Sequence, residues 1–121
     1  MRILVCEDDN MIIKAIQHKL TAEGYDVDVA MNGDDAMSKL REEQYDIILT
    51  DILMPLLGGL DLIVKVRDEL KITTPIIVLS RLGNEETILE AFQRGADDYI
   101  TKPFSPIELA MRIKRYALKR R

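Results

Sequence analysis

Asp46-Ile47-Ile48-Leu49-Thr50-Asp51 is an apolar, β-branched run closed by a carboxylate, and its reading decides the fold. It is too short for a helix and suits a strand buried on both faces. Similar runs stand at residues 3–6, 26–30, 76–79 and 99–101; with 46–50, the first and fourth also read as buried on both faces. Longer segments of helical period lie between and after them. Ile12, Ile16 and Leu20 form a stripe ended by Gly24; Ala36, Met37 and Leu40 follow the Asn32-Gly33 turn; Leu60, Ile63, Val64 and Val66 form a third. Ile88, Leu89, Ala91 and Phe92 mark a fourth helix closed by Gly95. Ser105-Pro106 opens a fifth with Leu109, Ile113 and Ala117, Glu108 standing where a capping box needs it. Five strand–helix units predict an α/β fold, a doubly wound parallel sheet with helices on both faces.

The 121 residues predict one domain, residues 1–121, large enough to bury its own core. Apolar residues make up 47% and charged residues 31%, which excludes a disordered or low-complexity chain. No apolar run approaches the length of a membrane span and Met1-Arg2 leads straight into a strand, so a cytoplasmic protein without membrane contact is expected. Cys6 is the only cysteine, which rules out an internal disulfide and reads as a small core residue. The net charge is −4, yet Arg112, Lys114, Arg115, Lys119, Arg120 and Arg121 gather at the end of the chain. That basic stretch lacks a recognition-helix pattern and reads as a solvated face or the start of a linker. A further domain boundary can lie only beyond Arg121.

In doubly wound sheets the ligand site lies off the carboxyl ends of the strands. There this sequence is polar: Glu7-Asp8-Asp9 after the first strand, Asp51 after the third, Ser80 after the fourth, Lys102-Pro103 after the fifth. Carboxylates gathered in one pocket repel each other unless a cation compensates, and hard oxygen ligands suit Mg²⁺. Asp8 and Asp51 as ligands, with Glu7 acting through water, would leave coordination sites for a phosphoryl group. A carboxylate attacks phosphorus to give an acyl phosphate, and Lys102 and Ser80 are a fitting cation and hydroxyl donor for its oxygens. Tyr99 taken alone is a half-buried strand aromatic, and His18, without acidic or cysteine neighbours at metal spacing, is a surface residue. A flavodoxin-like cofactor site should carry a phosphate loop rich in Ser, Thr and Gly, where this chain has three carboxylates. A magnesium-dependent aspartyl phosphatase would have a second Asp where this chain has Leu53.

Over its whole length the sequence resembles the receiver domains of bacterial two-component response regulators. The resemblance rests on Ile3-Leu4-Val5-Cys6-Glu7-Asp8-Asp9, Thr50-Asp51-Ile52-Leu53-Met54-Pro55, Ser80, and the run from Gly95 through Tyr99 and Lys102-Pro103 to Phe104. It implies a flavodoxin-like, CheY-like sheet of five strands in order 2-1-3-4-5 with five helices. It implies that a sensor histidine kinase phosphorylates Asp51, that Glu7, Asp8, Asp51 and the Leu53 carbonyl surround Mg²⁺, and that Lys102 contacts the phosphoryl group. It also implies a cis Lys102-Pro103 peptide and a switch pair in Ser80 and Tyr99. The stretch from Gly95 to Lys114, with Glu7 opening the acidic pair, is most similar to the OmpR/PhoB-type subfamily, whose receivers precede a winged-helix DNA-binding domain. That likeness implies a homodimer on phosphorylation, with Asp97, Asp98, Glu108 and Arg112, and Lys119 beside them, at its interface, and DNA contact only through an effector domain.

Three positions depart from the pattern. Ile88 replaces a Lys or Arg of that interface, which removes the expected partner of Glu108, and the exposed pair so lost is worth only about 0.2 to 1 kcal/mol. Arg81 follows Ser80 where a small residue is usual, and a long side chain there is expected to obstruct water or kinase. Gly58-Gly59 adds backbone freedom after the acceptor strand and predicts a mobile loop.

Overall fold

The computed structural model describes residues 1–119; Arg120 and Arg121 of the basic stretch lie outside the described residues. Strands and helices alternate as β1 (Arg2–Cys6), α1 (Asn10–Ala22), β2 (Asp26–Ala30), α2 (Gly33–Glu42), β3 (Ile47–Thr50), α3 (Gly59–Asp68), β4 (Ile76–Ser80), α4 (Glu85–Arg94), β5 (Asp98–Thr101) and α5 (Pro106–Lys119). The five strands form one sheet in the order β2-β1-β3-β4-β5, every pairing parallel. This is the expected architecture, with β4 reaching Ser80 and β5 beginning at Asp98.

The central strands are apolar throughout because both of their faces are covered. Ile3, Val5, Ile47, Leu49, Ile77, Leu79 and Ile100 point to one side and pack with Ile16, Leu20, Leu109 and Ile113 of α1 and α5. Leu4, Cys6, Ile48, Ile76, Val78 and Tyr99 point to the other and pack with Met37, Leu40, Leu62, Ile63, Val66 and Ala91 of α2, α3 and α4. The period-two alternation of strand side chains sorts these two sets. Burying one such Ile or Leu contributes about 1.5 to 3 kcal/mol, so the two clusters clamp the sheet from both sides.

Local signals set the helix ends. Asp9 caps α1, its Oδ1 accepting from the Met11 and Ile12 amides at 2.9 and 3.3 Å, and Asn32 caps α2 through the Asp35 amide at 2.8 Å. Ser105 Oγ accepts from the Glu108 amide at 3.3 Å, but the Glu108 carboxylate turns to Arg112 at 3.1 Å, so only half of the capping box forms. Ile13 rather than Ile12 belongs to the buried stripe of α1. In α4 the departure is larger: Ala91 alone is fully buried, Ile88 packs partly against the core, and Leu89 and Phe92 are 54% and 42% exposed. The helix rests on the sheet mainly through its smallest residue, which leaves Leu89 and Phe92 facing outward.

Gly59 is held by close packing, which a mobile loop does not require. It opens α3 buried against the end of β3, where a Cβ would lie 2.0 Å from the Asp51 carbonyl oxygen. At Gly58 the nearest atom would be 3.1 Å away. Gly59→Ala is therefore expected to lower unfolding free energy by about 1 to 3 kcal/mol, and Gly58→Ala by clearly less, as read by urea denaturation. Cys6 gives a second expectation. Burial pushes its thiol up to about 12, so a thiol reagent at pH 8 should label it only at the rate at which the protein opens, and unfolded chain immediately.

Candidate functional site

The sheet ladder continues one residue past the strands and so fixes where the polar residues stand. Cys6 pairs with Thr50, and the Asp51 amide donates to the Cys6 carbonyl at 3.0 Å, placing Glu7 and Asp51 side by side. Ser80 pairs with Thr101, and the Lys102 amide donates to the Ser80 carbonyl at 2.8 Å. The Glu7 amide is held by the Ala30 carbonyl at 3.0 Å. The Lys102-Pro103 peptide is cis, as expected. Residues from four strands thus converge on a cavity of about 320 Å³ lined by Glu7, Asp8, Asp9, Ile12, Asp51, Leu53, Arg81 and Lys102.

Lys102 is the centre of the charge arrangement. Its Nζ lies 2.5 Å from Glu7 Oε1 and 2.9 Å from Asp51 Oδ2, all three side chains being almost fully buried. Burial alone would pull the ammonium down, but its hydrogen bonds to Glu7 and Asp51 outweigh that and hold Lys102 above the ordinary lysine range. Burial pushes Glu7 up from the usual carboxylate range, with the bond to Lys102 opposing it. The second Glu7 oxygen accepts from the Asp8 and Asp9 amides at 3.1 and 3.2 Å, and Asp51 Oδ1 accepts from the Leu53 amide at 3.3 Å. Glu7, Asp8 and Asp51 each place a carboxylate oxygen within 4.8 Å of the others, and Asp8 is exposed to the cavity. Three hard oxygen donors at that spacing fit a divalent cation of the Mg²⁺ type.

Ser80 and Tyr99 meet at Leu82. Ser80 Oγ accepts from the Leu82 amide at 3.1 Å, while the Tyr99 hydroxyl donates to the Leu82 carbonyl. Tyr99 is therefore buried with its ring turned inward, and burial pushes its phenol up, the neighbouring Ser80 hydroxyl opposing. Away from the cavity, Arg112 reaches Asp98 at 2.7 Å and Glu108 at 3.1 Å. Asp97 is tied inside the chain, accepting from the Ile76 amide at 2.8 Å and from Arg67 at 2.9 Å. Lys119 lies over the Tyr116 ring at 5.8 Å, and His18 is exposed.

The response regulator receiver domain family matches residues 3–114. This chain belongs to that family. It is 42% identical over 120 residues to the transcriptional regulatory protein ResD of Bacillus subtilis, a match covering 99% of this chain and 48% of ResD. It superimposes on the receiver domain of the Francisella response regulator 1452 with a TM-score of 0.92 at 37% identity, covering 99% of this chain and 98% of that one. A BeF3-activated DrrB receiver domain gives 0.87 at 33% identity, with 96% of each chain covered. The chain spans about half the length of the curated relatives it matches.

Receiver domains are the signalling domains of two-component systems, interact with sensor histidine kinases and bind Mg²⁺ at an acidic pocket. In this receiver the sequence missed two features of the pocket: the role of Asp9 as helix cap, and the carbonyl of Leu82 as the partner of Tyr99. An Asp directly before an apolar helical period is itself a cap signal; a backbone carbonyl 17 residues from its partner leaves none.

Removing the shared cation tests the charge arrangement. Lys102→Met leaves two buried carboxylates facing each other and is expected to lower stability by about 3 to 5 kcal/mol in Mg²⁺-free urea denaturation. Glu7→Gln in the same background should restore part of it.

Proposed function

We propose that this receiver is a phosphorylation switch in which Asp51 accepts a phosphoryl group from a sensor histidine kinase. The observation that carries the reading is one buried ammonium, Lys102, shared by Glu7 and Asp51 at the edge of an acidic cavity. An Asp51 carboxylate oxygen attacks phosphorus, the new O–P bond forms as the N–P bond of the donor phosphohistidine breaks, and the imidazole nitrogen leaves with the electron pair. Lys102 turns from the Asp51 oxygen to a phosphoryl oxygen and needs no proton change to do so. Asp8, Asp51 and the Leu53 carbonyl would hold Mg²⁺, which would supply charge neutralisation at the phosphoryl oxygens. Glu7, both of whose oxygens already accept hydrogen bonds from the chain, acts beside the metal through water.

Ser80 and Tyr99 read out the event. Their hydroxyls both engage Leu82, so a Ser80 hydroxyl drawn to the phosphoryl group changes the bonding of the loop that Tyr99 also holds. The receiver catalyses nothing beyond its own phosphorylation and dephosphorylation. It acts in the cytoplasm, away from membranes; no helix among the described residues is long and apolar enough to cross one. Output passes through a homodimer formed by α4, β5 and α5. Leu89 and Phe92 supply its apolar contact, and Asp97, Asp98, Glu108 and Arg112 its charged rim. The relatives are transcriptional regulatory proteins about twice as long as this chain, which supports an attached DNA-binding domain as the effector.

Incubation with a small acyl phosphate and Mg²⁺ should add one phosphoryl mass to the wild type and none to Asp51→Asn, as read by intact mass spectrometry; an unmodified wild type would overturn the assignment. In sedimentation with BeF3⁻ and Mg²⁺ the wild type should shift toward a dimer. Leu89→Asp should stay monomeric while still taking the phosphoryl group.

A further inference from the structure

The acidic cavity contains a cation that the reaction as described does not use. Of the charged side chains lining it, Asp9 caps α1, and Lys102 is engaged by Glu7 and Asp51. Arg81 lines the same cavity and is exposed, yet its guanidinium makes no hydrogen bond or ion pair with any described residue. It also lines the adjoining groove of about 540 Å³ with Met11, Ile12, Pro103 and Phe104, so it stands where apolar surface meets the carboxylates. Its backbone is not free to drift. Ser80 before it ends β4, and Leu82 after it is bound through its amide to Ser80 and through its carbonyl to Tyr99.

We infer that Arg81 is a second phosphate-binding cation of this site, one that contacts the oxygens of the incoming donor and then of phosphorylated Asp51. The inference rests on Asp51 being the acceptor. Its ground is charge. Glu7, Asp8, Asp9 and Asp51 carry four negative charges into this cavity, and a bound Mg²⁺ with Lys102 supplies three positive ones, so a doubly charged phosphoryl group would meet net repulsion that Arg81 offsets. A guanidinium also offers paired donors in a plane that matches two phosphoryl oxygens, which the ammonium of Lys102 does not. In the transfer from an acyl phosphate the Asp51 O–P bond forms, the donor O–P bond breaks, and the electron pair leaves with the donor carboxylate. Arg81 donates hydrogen bonds throughout and exchanges no proton.

The same charge acts in opposite directions on the two ligands. Arg81 attracts a phosphoryl group but repels Mg²⁺ when no phosphoryl group is there, whereas a residue that only shapes the loop would weaken or strengthen both together. Three proteins separate these cases: wild type, Arg81→Ala and Arg81→Lys, each first shown to be folded by its thermal transition. Arg81→Ala should weaken BeF3⁻ binding in saturating Mg²⁺ by about two- to five-fold and raise the half-saturating acyl phosphate concentration by a similar factor. Mg²⁺ binding without BeF3⁻, followed by its shift of Tm, should tighten by about the same factor. Arg81→Lys should fall between wild type and Arg81→Ala on the BeF3⁻ scale, and the differences should shrink as salt is raised. Equal BeF3⁻ affinity in wild type and Arg81→Ala, or a change of the same sign for both ligands, would overturn the role of Arg81 alone. A wild type that takes neither BeF3⁻ nor phosphoryl would overturn the Asp51 assignment, and this inference with it.

Discussion

The ammonium of Lys102 sits between the carboxylates of Glu7 and Asp51, and the rest of the site is arranged around that contact. Two carboxylates side by side in a nearly water-free position repel each other strongly; one cation between them makes their proximity tolerable. Asp8, in contrast, is exposed, with a carboxylate oxygen within 4.8 Å of those of Glu7 and Asp51.

Holding this contact falls to the sheet. Glu7, Asp51 and Lys102 follow β1, β3 and β5, strands far apart in the chain that the sheet order β1-β3-β4-β5 brings close, and each is fixed by a backbone hydrogen bond that extends the ladder past the strand end. Two apolar clusters, one on each face, keep the strands in register. A slip of one residue would turn the acidic side chains into the core and the apolar ones into the cavity. Stability and site geometry are therefore one property. Gly59 belongs to it, since it lets α3 begin against the backbone of Asp51 itself.

Away from the cavity, charged side chains around β5 and α5 are already paired within the chain. Arg112 is paired inside the chain with Asp98 and Glu108, and Asp97 with Arg67, so a partner subunit would compete for contacts that already exist. The exposed Leu89 and Phe92 have no such internal claim. Their position on a helix that rests on the sheet through Ala91 explains why apolar period and burial part company there.

The strands, the helices, the two-sided core and the convergence of Glu7, Asp8, Asp51 and Lys102 on one cavity were legible in the amino-acid order, because strand and helix periods and the residue after each strand are local properties of the chain, whereas Ser80 is buried against Leu82 outside that lining. The apolar period of α4 marked a helix without fixing its burial, because periodicity records that a face is apolar without saying what covers it. The Gly58-Gly59 pair was read as freedom because a close approach of distant backbone leaves no local trace. Which oxygen Lys102 takes, which carbonyl holds Tyr99 and which cation stays unpaired beside the carboxylates were decided by tertiary structure alone. These are matters of distance between side chains and backbone brought together from separate strands and loops, and such distances exist only once the sheet has closed.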